Sequence, residues 1–305
     1  MPLEFDTQAF APVQTWLPPW GLSACIRAVL GRNMQGLQLS QAQRHSHYPV
    51  TPLCSINVLF SGYADRAGSA GQVDSVAPRQ RLPALSVSGP QTQPLTVVYG
   101  PQAHGVMLVL YPDAWQALTG MEVTRLVDQV VDARDVLPAE VLSACERLQR
   151  ANSDDARVQR LFAELLPLWQ RCVAPGAVTG GVLTSPQPSR LGPWTQALAM
   201  RAAATGWGRS LRQSERRIKQ WTGWSMRRLQ VSARGEAVFL AVMEALNDER
   251  LDWTQIALDH GFSDQSHFIR ETRRLTGFSP EAMRHGVLHE EAFWSYRAWA
   301  KLAGL

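Results

Sequence analysis

The sequence predicts a multidomain chain: a β-rich N-terminal α+β domain, then an all-α C-terminal domain. Three observations predict it. Short β-like runs separated by turn residues extend as far as Pro112, helical spacing takes over after it, and one glycine-turn motif occurs twice between residues 204 and 279. At 305 residues the chain exceeds one ordinary core, and 45% apolar with 18% charged residues describes a soluble, folded protein rather than a disordered one.

In chain order, an apolar, proline-punctuated arm through Trp16-Leu17-Pro18-Pro19-Trp20 leads into residues 24–30, whose pattern fits a short helix or a strand equally. Runs at 37–42, 54–60, 82–87, 95–99 and 106–111 predict the strands of a small barrel or sandwich. Residues 62–78, rich in Gly, Ala and Ser, read as a loop. A short helix is expected from Asp113, ending at Gly120. Val123, Leu126, Val127 and Val130 then recur at helical spacing, followed by helices over 141–148 and 158–169. The stretch 175–193, rich in Pro and Gly, divides a first domain (1–174) from a second (194–287) and reads as their linker; 288–305 form a helical tail.

Residues 251–284 are the most informative stretch. Asp252 is placed to cap a short helix with Trp253, Ile256 and Ala257 on its apolar face. His260-Gly261-Phe262 reads as a tight turn, after which Ser263 or Asp264 can cap a second helix reaching about Leu275. Phe268, Ile269, Thr272 and Leu275 form its inward stripe, which leaves Gln265, Ser266, His267, Arg270, Glu271 and Arg274 outward. Such a helix can enter a major groove. There arginine bonds guanine O6 and N7 bidentately and glutamine suits adenine. The pattern occurs twice: Ala204, Gly208 and Ser210 fall in the stretch that aligns with Ala257 to Ser263, and Thr222-Gly223-Trp224-Ser225 matches Thr276-Gly277-Phe278-Ser279. Two copies in register are far more specific than one.

Charge follows the same division. Residues 1–189 hold 13 Arg+Lys against 14 Asp+Glu, whereas 190–286 hold 15 against 10. Within 201–234 nine cations (Arg201, Arg209, Arg212, Arg216, Arg217, Lys219, Arg227, Arg228, Arg234) face the single Glu215, and a phosphate backbone is their natural counter-charge.

These residues resemble the AraC/XylS family of bacterial transcription regulators over roughly 190–287, most specifically in the run GFSDQSHFIRETRRLTGFSP. The resemblance implies two helix-turn-helix units joined by a long helix, with base contacts from Arg212, Glu215 and Arg216 in the first unit and from Ser266, His267 and Arg270 in the second. Arg209, Gln213, Gln265 and Arg274 complete the expected DNA-binding set. Where the family has a buried leucine, phenylalanine at two places and a proline, this chain has Ser214, Ile218, Thr272 and Met226. The first half, with GPQ at 89–91 and LYPDAWQALTG at 110–120, resembles the sensor half of such regulators, in which a cupin-like barrel precedes a helical dimerisation region. The expected function is sequence-specific transcription regulation controlled by a small ligand on the N-terminal domain. Expected partners are double-stranded promoter DNA, a small-molecule effector, RNA polymerase and a second copy of the chain.

The alternative is a metal-dependent cupin-type enzyme with an appended nucleic-acid-binding domain. Its only support is His45, His47 and His104, with no carboxylate at a typical ligand spacing. No catalytic motif, metal or cofactor is expected. Cys25, Cys54, Cys145 and Cys172 lie far apart and read as free thiols. The start MPLEFDTQAF lacks a signal-peptide pattern and no apolar run reaches membrane-span length, so a cytoplasmic protein is expected. In the tail, Phe293, Tyr296 and Ala300 share one helical face and Trp294 and Trp299 another, which suits packing on either domain.

Overall fold

The computed structural model of the chain describes residues 10–68, 79–172, 190–204, 211–245 and 252–305. Strands β1 (Val13–Trp16), β2 (Ile26–Asn33), β3 (His45–Tyr48), β4 (Cys54–Ser61), β5 (Ala64–Gly68), β6 (Gln80–Arg81), β7 (Leu85–Ser88), β8 (Leu95–Tyr99), β9 (His104–Leu110) and β10 (Val130–Asp132) form two antiparallel sheets. Their orders are β1-β2-β9-β4-β7-β10 and β3-β8-β5-β6. Alternation sets the faces of the larger sheet. Val29, Ile56, Val58, Val87 and Leu108 point to one side, where helices α1 (Pro112–Thr119), α2 (Ala139–Glu146) and α3 (Asp154–Cys172) add Trp115, Val141, Leu161, Phe162 and Leu165.

Several sequence expectations change here. Residues 26–30 belong to a strand, whereas 37–42 form none; the histidine segment makes β3 instead, and β5 occupies part of the expected loop. The helical spacing from Val123 to Val130 covers a 3-10 turn (Val123–Leu126) and then β10. Between them Asp128 takes φ +60°, and its carboxylate accepts hydrogen bonds from the Thr92 amide and hydroxyl, both at 2.6 Å. The cupin-like barrel is not found. Among the described residues the two sheets share no strand pairing that would close one. Cys25, Cys54 and Cys145 are buried free thiols whose pKa burial pushes up, to about 12 for Cys145; Cys172 is exposed.

The helical half comprises α4 (Leu191–Ala204), α5 (Leu211–Thr222), α6 (Met226–Glu244), α7 (Trp253–Asp259), α8 (Gln265–Thr276), α9 (Pro280–His289) and α10 (Trp294–Leu302). Leu191, Trp194, Leu198, Ile218, Trp224 and Leu229 join the same apolar cluster as the larger sheet, so α4, α5 and the start of α6 share a core with the N-terminal half. The second unit has its own, built on Val242, Met243, Ala257, Phe262, Phe268 and Met283.

The tail joins the halves. Phe293, Tyr296 and Ala300 enter the core of the second unit, while Trp294, Ala298 and Leu302 pack on Ala28 and Leu30 of β2. Trp294 Nε1 donates to Ser46 Oγ (2.6 Å) and Ser295 Oγ to the His47 carbonyl (2.7 Å). Buried Arg32 pairs with buried Glu291 (2.6 Å).

His47 lies in this seam, edge-on to Phe278 and Phe293 with ring centroids 4.9 and 5.1 Å away, and Nδ1 2.9 Å from Thr96 Oγ1. Burial, then the neighbouring His45, pushes its pKa down from 6.5 to about 4. The folded chain therefore holds this ring neutral where the unfolded chain would protonate it. Stability from this group is fully present above pH 6.5 and is lost as pH falls toward 4, by up to ~3 kcal/mol. Urea midpoints at pH 7 and pH 4.5 should thus differ less in His47→Gln than in the parent protein; an equal difference would show that His47 does not carry the linkage.

Candidate nucleic-acid interface

In each unit a glycine and a capping hydroxyl define the end of the recognition helix. Gly223 and Gly277 take φ +75° and +87°, the left-handed region that favours glycine. Thr222 Oγ1 donates to the Ile218 carbonyl (2.7 Å) and accepts from the Trp224 amide (3.2 Å); Thr276 Oγ1 does the same with Thr272 (2.8 Å) and Phe278 (3.1 Å). Ser225 then caps α6 through the Arg228 amide, and Ser279 caps α9 through the Ala282 amide. The sequence repeat is thus a repeat of hydrogen bonds.

The second unit's turn is built as its residues require. Asp252 Oδ1 accepts from the Thr254 and Gln255 amides, Gly261 takes φ +73°, and Asp264 Oδ1 accepts from the His267 amide at 2.7 Å. That amide, then the Ser263 hydroxyl, holds the Asp264 carboxyl below its usual pKa. Phe268 is fully buried, stacked on Trp253 and edge-on to Phe262, and so anchors α8. Gly235 lets α6 approach α8: a Cβ there would lie 2.4 Å from Leu275 Cδ1.

On α8, Gln265, Ser266, Arg270, Arg273 and Arg274 are exposed and His267 is half-buried. His267 Nδ1 lies 3.2 Å from Ser263 Oγ, and Arg274 pairs with Glu271 at 2.8 Å, which holds the Glu271 carboxyl below its usual pKa. Arg270 makes no ion pair among the described residues. On α5, Arg212, Gln213, Glu215, Arg216 and Lys219 are exposed, Ser214 is half-buried 3.4 Å from the Ala202 carbonyl, and Ile218 is buried. Glu215 accepts from the Met226 amide at 3.4 Å. Arg209 and the first unit's turn lie outside the described residues.

Three members of the cationic cluster bond other parts of the fold, Arg217 through the Ala202 carbonyl of α4 at 3.1 Å. Arg201 pairs with Asp113 of α1 at 2.6 Å, and Arg228 donates to the Thr92 carbonyl of the N-terminal half at 3.1 Å. Burial and nearby Arg274 lower the Arg228 pKa. Other bonds also tie the helical half to the sheets. The Val50 amide donates to the Leu275 carbonyl at the end of α8 (2.8 Å), and Glu236 of α6 accepts from Arg27 of β2 and from the Leu191 amide (2.6 Å).

Between these halves and between the sheets lies a cavity of about 450 Å³. Arg27, Glu236, Leu275, Tyr296 and Trp299 line it from the seam, and Ser55, Asn57, Ser86 and Ser88 line it from the larger sheet. Sequence reasoning missed these four polar residues, although the alternation in CSINVLFS and LSVS marks them. The histidines do not converge: His45 and His47 stand 6.4 Å apart by ring centroid, whereas His104 bonds Asp154 at 2.9 Å. Among the described residues no group of three or more His, Cys, Asp or Glu could hold a metal ion, and no helix is long and apolar enough to cross a membrane.

The family comparison agrees with this geometry. Residues 203–286 match the model of a helix-turn-helix domain family. No curated protein matches the chain. Among solved structures, the chain is similar to ToxT from Vibrio cholerae, at 9% identity and a TM-score of 0.33 over 79% of this chain and 94% of that one. A second ToxT structure gives 10% and 0.33 over 89% and 96%, and ToxT with bound unsaturated fatty acid gives 10% and 0.32 over 79% and 94%. With its matching terminators and long joining helix, the stretch 203–286 is an AraC-type helix-turn-helix domain.

Proposed function

We propose that the chain is a sequence-specific transcription regulator that acts by binding and not by catalysis. It reads promoter DNA with α5 and α8, and a small ligand in the cavity between its halves controls it. The carrying observation is the repeated helix-turn-helix pattern whose two second helices both expose arginine and glutamine. Base and phosphate contacts then fall on Arg209, Arg212, Gln213, Glu215 and Arg216 in the first unit, and on Gln265, Ser266, His267, Arg270 and Arg274 in the second. Residues 1–174 serve as sensor and dimerisation domain, 175–193 as linker, 194–287 as reader and 288–305 as tail. RNA polymerase and a second copy of the chain are its protein partners, and the cytoplasm is its site of action. Ligand control is supported by the cavity's position: Glu236 and Leu275, on α6 and α8, line it opposite β-sheet residues, so an occupant can favour one arrangement of the halves.

Selection of bound sequences from random DNA gives the operator, and Arg270→Ala tests the reading. Arg270 is exposed one turn beyond Ser266 while Phe268 holds the helix from within. Its loss should weaken operator binding by about 1–3 kcal/mol and relax preference at one base pair, with little change on scrambled DNA. Lysine should not restore discrimination, because one ammonium cannot reproduce the two-donor fork. Full discrimination by folded Arg270→Ala would sink the base-reading role.

A further inference from the structure

The cavity's floor indicates what it binds; this rests on the proposal that a ligand occupies it. β4 and β7 set Ser55 opposite Ser88 and Asn57 opposite Ser86, and all four line the cavity. The opposite face of the same strands, with Cys54, Ile56, Val58, Leu85 and Val87, is wholly apolar core. The polar floor is thinly satisfied. Asn57 donates to Ser88 Oγ at 3.3 Å and accepts from Ser55 Oγ at 3.4 Å, both long for such bonds. An amide has two donor hydrogens and two lone pairs, so much of its capacity is open. Ser86 is only 3% exposed, and its hydroxyl has no hydrogen-bond partner among the described residues. A hydroxyl that lines the cavity in that state keeps its donor and its lone pairs for an occupant.

Apart from Arg190 and Lys301, the charged groups around the cavity have ion-pair partners. Arg27 pairs with Glu236, Arg32 with Glu291, Glu271 with Arg274 and His104 with Asp154. Arg190 and Lys301 border the cavity but are exposed to solvent. A carboxylate on the floor would be bonded by neutral hydroxyls and an amide, which compensate a buried charge less well than a paired cation does. Above the floor, Leu59, Leu95 and Val97 make an apolar wall.

We infer that the cavity takes an uncharged molecule with hydroxyl, carbonyl or amide groups along one edge, which bond Ser55, Asn57, Ser86 and Ser88, and an apolar body, which packs on the wall. The volume suits a molecule of ordinary metabolite size.

Matched neutral and anionic probes test this on the full chain: phenyl β-glucoside against phenyl β-glucuronide, 1-octanoylglycerol against octanoate, and hydrocinnamamide against hydrocinnamate. Binding is read by tryptophan fluorescence and thermal shift, and DNA affinity by anisotropy. The neutral member of at least one pair should bind at least about tenfold more tightly than its anion, and Ser86→Val or Asn57→Leu should remove about that factor. Circular dichroism and ligand-free DNA binding check the fold. Should either variant fail to fold, Ser86→Ala, which deletes only the hydroxyl, makes the comparison. Tighter binding of the anions, neutral binding indifferent to the floor variants, or no binding by any pair would overturn the inference. An anion that binds and shifts DNA affinity would overturn the floor's role while leaving ligand control standing. A neutral probe that binds through the floor without moving DNA affinity would do the reverse.

Discussion

Glu236→Ala is expected to destabilise the protein by about 3–5 kcal/mol, the usual consequence of removing one partner of a buried ion pair. Glu236 lies on α6, and its carboxylate binds both the Arg27 guanidinium of β2 and the Leu191 amide that opens α4. Side-chain exposures of 7% for Arg27 and 16% for Glu236 leave water little access to either group. Arg27 also stacks on the Trp299 ring 4.5 Å away, while its Nε has no hydrogen-bond partner among the described residues. Alanine at 236 would therefore leave a cation buried against an indole with its counter-charge gone. Glutamine should cost less, because an amide oxygen can still accept from Leu191 N. Urea denaturation monitored by circular dichroism gives the comparison; a loss below about 1 kcal/mol for alanine would show that water reaches Arg27 and that the pair does not hold the halves together.

The contrast between what was legible in the sequence and what was not follows the reach of the interactions. The two helix-turn-helix units were legible because caps, glycine turns and apolar stripes act over three to five residues, so Asp252, Gly261, Asp264 and Gly277 each declare their roles locally. β8 and β9 declared themselves as β-branched apolar runs for the same reason. The seam was illegible. Nothing near Arg228 in the chain announces the Thr92 carbonyl, 136 residues away, and a surface arginine awaiting phosphate has the same local pattern. The tail was partly legible: its two apolar faces could be read, but their assignment, Tyr296 to the second unit and Trp294 to β2, depends on partners elsewhere in the chain.

The missed elements have physical reasons too. β3 carries His45, Ser46 and His47, poor strand formers by composition, and is held by pairing with β8 and by Trp294 and Ser295 of the tail. Tertiary contacts override propensity there. The spacing from Val123 to Val130 suited a helix, yet Asp128 breaks it because its carboxylate binds Thr92 in another segment. The floor of Ser55, Asn57, Ser86 and Ser88 has the alternation of a strand with one face in solvent, and only the second sheet reveals that this face looks into a cavity.

DNA affinity of the full chain should fall steeply with salt, and the slope distinguishes the cations that reach DNA from those that hold the fold. Arg212, Arg216 and Lys219 on α5, Arg227 at the start of α6, and Arg270 and Arg273 on α8 are all exposed. If about five phosphates are neutralised, log affinity falls with log salt at a slope near −4.5, so raising salt from about 50 to about 200 mM should weaken binding several-hundred-fold. Arg216→Ala or Lys219→Ala should make the slope shallower by about one unit if its cation lies on a phosphate. Arg228→Ala should leave the slope unchanged, because that guanidinium bonds the Thr92 carbonyl and stacks over the Trp224 ring at 4.8 Å. Its effect should fall instead on the seam, as a lower melting temperature and as altered affinity at every salt concentration by one common factor. Anisotropy titrations at four salt concentrations separate these cases. A slope near zero for the parent protein would remove the electrostatic basis for DNA binding, and a shallower slope in Arg228→Ala would mean that the seam opens on DNA and hands this arginine to the backbone.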